Sequence, residues 1–68
     1  MQMPGMELED VWRMAIQRER DAQNIYTEMA RLVDDSSLKN LFAFLVEQEK
    51  KHEQMLEEEY EKYFTPEF

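Results

Sequence analysis

Three residues of this sequence have the chemistry and the spacing to bind metal ions. Glu49 and His52 form a Glu-x-x-His motif, which a helix places on adjacent turns of one face. Glu19 lies four residues after Ala15 and three before Ala22, so a helix points it the same way as these alanines. Carboxylate and imidazole groups are ligands for iron, manganese and zinc. The motif therefore predicts that Glu49 and His52 bind one ion, with the carboxylate free to bridge to a second.

Two long helices are predicted to position these residues. Between Gly5 and Pro66 the sequence contains neither glycine nor proline, which favours uninterrupted helix. The first helix is predicted at about 8–33 and the second at about 38–63, joined by a polar turn at 34–37. The candidates for the N-cap of the second helix are Asp35, Ser36 and Ser37.

Each helix has an apolar stripe that polar residues interrupt near its middle. The first stripe comprises Leu8, Val11, Ala15, Ala22, Ile25, Met29 and Leu32. The second comprises Leu38, Leu41, Phe42, Leu45, Leu56 and Tyr63. Glu19 or, as the alternative, Arg18 fills the gap in the first stripe, and Glu49 and His52 fill the gap in the second. Because unpaired carboxylates are costly to bury, metal ligation is the interpretation that best explains their placement.

A single hairpin cannot enclose a core, since each stripe is covered from one side only. The predicted fold is therefore all-α, an antiparallel two-helix hairpin that dimerises into a ferritin-like four-helix bundle. The dimer would combine two copies each of Glu19, Glu49 and His52. That set matches the ligands of carboxylate di-iron and di-manganese bundles. It predicts two iron ions per dimer, with manganese or zinc as alternatives.

Two segments resemble the ligand motifs of rubrerythrins. Residues 17–27 are similar to the family's first-helix motif, in which a tyrosine follows a glutamate ligand by seven residues. Residues 48–52 are similar to its second-helix motif. The half-length form is more similar to encapsulated ferritins, hairpins that build a ferroxidase site across a dimer interface and assemble into larger rings.

This resemblance implies a site made of Glu19, Glu49, His52 and Tyr26. The first three would be iron ligands, and Tyr26 would donate a hydrogen bond to a ligand carboxylate. The implied function is oxidation of Fe(II) with dioxygen or peroxide at a site shared across the homodimer, for iron handling or oxidative-stress defence. The enzyme would then be a ferroxidase or a peroxide reductase.

The sequence also departs from the rubrerythrin pattern. Rubrerythrins carry four bundle helices in one chain and usually a cysteine-rich rubredoxin domain, whereas this sequence has two predicted helices and no cysteine. A peroxidase cycle would therefore need an external electron donor. An encapsulating shell protein is a further partner that the resemblance implies, although residues 60–68 contain no evident shell-targeting extension.

Length, composition and charge exclude several classes of partner and location. The chain has 68 residues, which allows one domain, and a formal charge of −8, which argues against nucleic acid as a partner. Its longest apolar run, residues 41–46, is far shorter than the roughly 20 residues of a membrane span. The N-terminus lacks the pattern of a signal peptide. We therefore expect no membrane partner and a cytoplasmic location, free or inside a protein compartment.

A metal-free interpretation competes with the di-iron one. In it the hairpin is a helical dimerisation or interaction module, and Glu49 and His52 form a polar pair on a wet seam. Several acidic residues of the second helix are expected to be solvated, with an iron entry path as the alternative. They are Glu47, Glu53 and Glu57–Glu59.

Overall fold

The computed structural model describes residues 7–64. It contains two helices, α1 (Leu8–Leu32) and α2 (Ser36–Phe64), and no strand within those residues. The helices run antiparallel against each other, which confirms the predicted all-α hairpin. Gly5 and Pro66, which bound the stretch without glycine or proline, lie outside the described residues. In the described part of the chain, neither helix has a stretch long and apolar enough to cross a membrane.

Local interactions set the limits of α1. At its start the Asp10 carboxylate accepts a hydrogen bond of 3.2 Å from the Glu7 backbone N–H. Acidic groups in this first turn also suit the positive end of the helix dipole. At its end Val33 is extended, with φ −96° and ψ 150°, so α1 stops one residue before the predicted limit.

Of the three predicted candidates, Asp35 is the N-cap of α2. Its Oδ1 accepts hydrogen bonds from the backbone N–H groups of Ser37 at 2.7 Å and Leu38 at 3.3 Å. Because these otherwise unpaired N–H groups are satisfied, the helix begins at Ser36. The predicted turn at 34–37 is therefore too long at its C-terminal side.

The contact between the helices is thin. Ile16 and Phe42, 8% and 9% exposed, are the buried hydrophobic residues of the described chain. Ile16 was not part of the predicted α1 stripe. Trp12 closes the open end of the hairpin, since its Nε1 donates to the Leu56 carbonyl at 2.9 Å and its ring meets Phe64 edge-on at 5.7 Å.

The two sides of the hairpin differ in chemistry. On one side, ion pairs and hydrogen bonds join the helices, such as Arg20 to Glu53 at 2.7 Å and Arg13 to Tyr60 at 2.8 Å. On the other side, helical periodicity groups the large exposed hydrophobic residues of both helices into one surface, which we call the apolar face. Its members are Leu8, Val11, Ile25, Met29, Leu32, Leu38, Leu41, Phe44, Met55 and Tyr63. Surfaces of this kind mark interaction sites.

Candidate metal centre

The structure brings Glu19, Glu49 and His52 together midway along the hairpin. One ligand atom from each lies within 4.8 Å of the others. His52 Nδ1 is 3.5 Å from Glu19 Oε2 and 3.6 Å from Glu49 Oε2. These separations are too long for good hydrogen bonds. They suit two ligand atoms that each bind one ion at about 2.1 Å.

Burial of the carboxylates gives a direct test of whether the cluster fits a metal ion. The side chains of Glu19 and Glu49 are 24% and 19% exposed, and that of His52 is 47% exposed. Glu19 Oε2 is fully shielded from solvent and has no hydrogen-bond partner within residues 7–64. A buried oxygen without a partner costs free energy, and a cation beside it would remove that cost. The donor set and the orphaned oxygen both fit a metal ion.

The same crowding changes the acidity of Glu19. Hydrogen bonding with the Glu49 carboxyl, burial, and the charge of Glu49 raise the pKa of Glu19 above its ordinary value. The opposing effect of His52 is smaller. Glu19 therefore holds a proton more tightly than a free glutamate does, and a cation that binds here competes with that proton.

The cluster lies at the edge of the apolar face. His52 stands one helical turn before Met55 on α2, and Met55 is an exposed member of that face. Its imidazole is the most exposed of the three groups. A molecule that covered the apolar face would therefore also cover the open side of the cluster.

Tyr26 is positioned by packing. It lies two turns beyond Glu19 on α1, and its ring stacks on Phe42 with centroids 6.4 Å apart and planes 13° apart. Its hydroxyl forms no hydrogen bond to any other residue of the described hairpin. The bond to a ligand carboxylate that the resemblance implies is thus not formed within one chain, and a role for Tyr26 at the site stays a prediction.

The prediction for Glu53, which lies near the cluster, was wrong. A solvated side chain is expected from the sequence, but the Glu53 side chain is only 17% exposed. Its Oε2 accepts from Arg20 Nε and its Oε1 from Gln23 Nε2, both at 2.7 Å. These two donors, Arg20 foremost, lower the pKa of Glu53. The sequence signal that could have indicated this partnership is Arg20, a charged residue directly after Glu19.

Comparison with known proteins agrees with the motifs. A protein-family model described as Rubrerythrin matches residues 10–67 of the 68-residue chain. The matched segment contains both carboxylates of the cluster, His52 and Tyr26. No curated protein and no solved structure matches the chain significantly.

Proposed function

Because this chain belongs to the rubrerythrin family, we propose that it is a di-iron carboxylate protein that oxidises Fe(II) with dioxygen or peroxide. The observation that carries the proposal is the cluster of Glu19, Glu49 and His52, with its orphaned buried oxygen. Manganese and zinc would accept the same donors. The family match favours iron.

We propose further that two chains share the site. One hairpin offers two carboxylates and one imidazole, which are too few donors for two ions. A second copy on the apolar face would double the set to four carboxylates and two imidazoles, the composition of bundle di-metal sites. A two-fold interface presents the same surface from both partners, and the mid-length position of the cluster suits such pairing. Four carboxylates also balance the charge of two divalent ions.

The chain's residues have separable tasks in this proposal. Glu19 and Glu49 provide negative charge in a partly buried setting, and His52 provides a neutral nitrogen. Metal binding to Glu19 requires its ionised form, because the carboxylate is the ligand. When bound, two Fe(II) ions supply one electron each, so that peroxide and two protons become two waters, or dioxygen and two protons become one peroxide.

The partners of such a reaction are also proposals. Repeated turnover with peroxide requires an electron donor, and we propose one outside these 68 residues, which contain no cysteine for a rubredoxin-type centre. Higher oligomers and a surrounding shell protein are proposals that rest on the resemblance to encapsulated ferritins. We also propose a cytoplasmic location, free or inside a protein compartment.

A second candidate function is a metal-free interaction module, which the exposed apolar face favours. The two functions predict opposite effects of replacing Glu49 and His52 together by leucine. A metal-free module gains stability, because leucine replaces a largely buried carboxylate and a half-exposed imidazole beside the helix contact. A metal protein loses the stabilisation that bound metal provides.

The proposal is tested by comparing Glu49→Ala with Glu47→Ala in Fe(II) oxidation. Glu47 is an exposed glutamate on the same helix and lies outside the cluster. We expect Glu49→Ala to lose metal-dependent oxidation and Glu47→Ala to keep it. Equal oxidation by Glu49→Ala and the parent would refute the site.

A further inference from the structure

Arg20 joins the two helices beside the metal cluster. Its Nε donates to Glu53 Oε2 at 2.7 Å and its terminal nitrogen donates to Glu57 Oε2 at 2.8 Å. Arg20 directly follows Glu19, and Glu53 directly follows His52. The network therefore connects the helices at the level of the cluster.

Glu53 would otherwise be a natural fourth ligand. It lies four residues after Glu49, one turn further along nearly the same face of α2. Yet Glu53 is not part of the group whose ligand atoms come together. Both of its oxygens are bonded instead, one to Arg20 and the other to Gln23.

We propose that Arg20 is a positioning residue that, together with Gln23, holds Glu53 out of the metal cluster. Each chain then contributes two carboxylates and one imidazole rather than three carboxylates and one imidazole. This inference rests on the proposed function, because it concerns the ligand set of that same site. It goes further because it names the side chain that limits the number of metal ligands in each chain.

The number of carboxylates decides both the charge and the coordination of the site. With Glu53 excluded, the four carboxylates of a dimer balance two divalent ions. With Glu53 included, two further negative charges remain uncompensated, and positions that dioxygen or peroxide must reach are filled. An open coordination position is a requirement of catalytic metal sites.

The chemistry of arginine suits this task. A guanidinium group presents a planar fork of N–H donors and stays charged at all ordinary pH values. Here the fork reaches two carboxylates at once, and Gln23 takes the remaining oxygen of Glu53. Lysine offers a point charge without the fork, so Arg20→Lys is expected to restrain Glu53 less well than the parent.

A purely structural role is the competing interpretation. The Arg20 side chain is half exposed, and exposed ion pairs contribute little to folding free energy. The experiment therefore needs to measure the coordination of the bound metal ion, which a change in folding stability alone does not alter. Visible absorption of bound Co(II) provides one, because its intensity falls as the coordination number rises.

The test titrates Co(II) into the parent and three variants. In Arg20→Gln, Glu53 is released, and we expect weaker visible absorption per bound Co(II). In Arg20→Gln with Glu53→Gln, the extra carboxylate is gone, and we expect the parental spectrum to return. Arg13→Gln is the matched control, since Arg13 also links the helices, through Tyr60, but away from the cluster. It should leave the spectrum unchanged.

The outcomes separate this inference from the proposed function. If the parent binds no Co(II), the proposed function fails and the inference falls with it. If the parent binds Co(II) and Arg20→Gln has the parental spectrum, only the inference is overturned. It is also overturned if the double variant keeps the altered spectrum. Should Arg20→Gln fail to fold, Gln23→Ala removes the other donor to Glu53 and must weaken the absorption in the same way.

Discussion

His52 Nδ1 on α2 lies 3.5 Å from Glu19 Oε2 on α1, across the contact between the two helices. That oxygen is buried and has no hydrogen-bond partner among residues 7–64. The separation leaves room for an ion bound to both atoms at about 2.1 Å. Metal ligation, as proposed above, would account for a carboxylate on the inner side of a hairpin with so thin a core.

Glu19→Gln is expected to stabilise the metal-free protein by about 1 kcal/mol near neutral pH. Hydrogen bonding with the Glu49 carboxyl, burial and the charge of Glu49 raise the pKa of Glu19. A neutral amide removes the costs of burying a charge and of repulsion by Glu49. The sign of the pH dependence follows from that shift. Destabilisation by Glu19 is absent below its pKa in the unfolded chain, and it grows as the pH rises to its higher pKa in the folded chain. The advantage of glutamine must therefore fade in acid.

Urea unfolding in the presence of a chelator measures this effect at acidic and at neutral pH. Glu47→Gln is the control, because Glu47 is exposed and lies outside the cluster. A Glu19→Gln protein that is less stable than the parent at neutral pH would contradict the electrostatic interpretation.

Phe44→Glu is expected to prevent self-association. Phe44 is 59% exposed on the apolar face, and a charge there would have to be desolvated in the dimer. Ala43→Glu places the same charge on the next residue, which the helix turns by about 100°, out of the apolar face. Sedimentation velocity should show a dimer or larger species for the parent and Ala43→Glu, and a smaller species for Phe44→Glu. A parent that sediments as a monomer contradicts the shared site.

Tyr26→Phe and Tyr26→Ala separate packing from chemistry at this position. Phenylalanine keeps the stacking on Phe42. The free energy of unfolding of the Tyr26→Phe protein should therefore stay within about 0.5 kcal/mol of the parent value. Alanine loses the ring and should cost about 1–3 kcal/mol, which is less than for a core aromatic residue because Tyr26 is only partly buried. If the hydroxyl contacts a ligand carboxylate of a second chain, Tyr26→Phe also slows Fe(II) oxidation. Unchanged oxidation limits Tyr26 to packing.

The helices, and the face of its own helix on which each cluster residue lies, were predictable because they depend on local rules. Helical periodicity alone places Glu49 and His52 on one face and turns Glu19 in the direction of its alanine neighbours. Asp35 was one of three candidate caps, and the structure selects it through its bonds to the following N–H groups.

The misjudged residues depend instead on how α1 lies against α2. Ile16 belongs to the stripe that contacts α2, whereas the predicted α1 stripe follows the neighbouring apolar face. Two overlapping apolar stripes cannot be told apart by spacing alone. The bond between Arg20 and Glu53 requires the register of the hairpin, which the short turn determines.

The central claim is tested most directly by an anaerobic titration of the metal-free protein with Fe(II), measuring iron bound per chain together with the oligomeric state. A shared di-iron site predicts about one iron per chain, two per dimer, with binding lost in Glu19→Ala. No tight binding, or binding that Glu19→Ala leaves intact, would contradict the claim. Either result would favour the second candidate function, a metal-free interaction module.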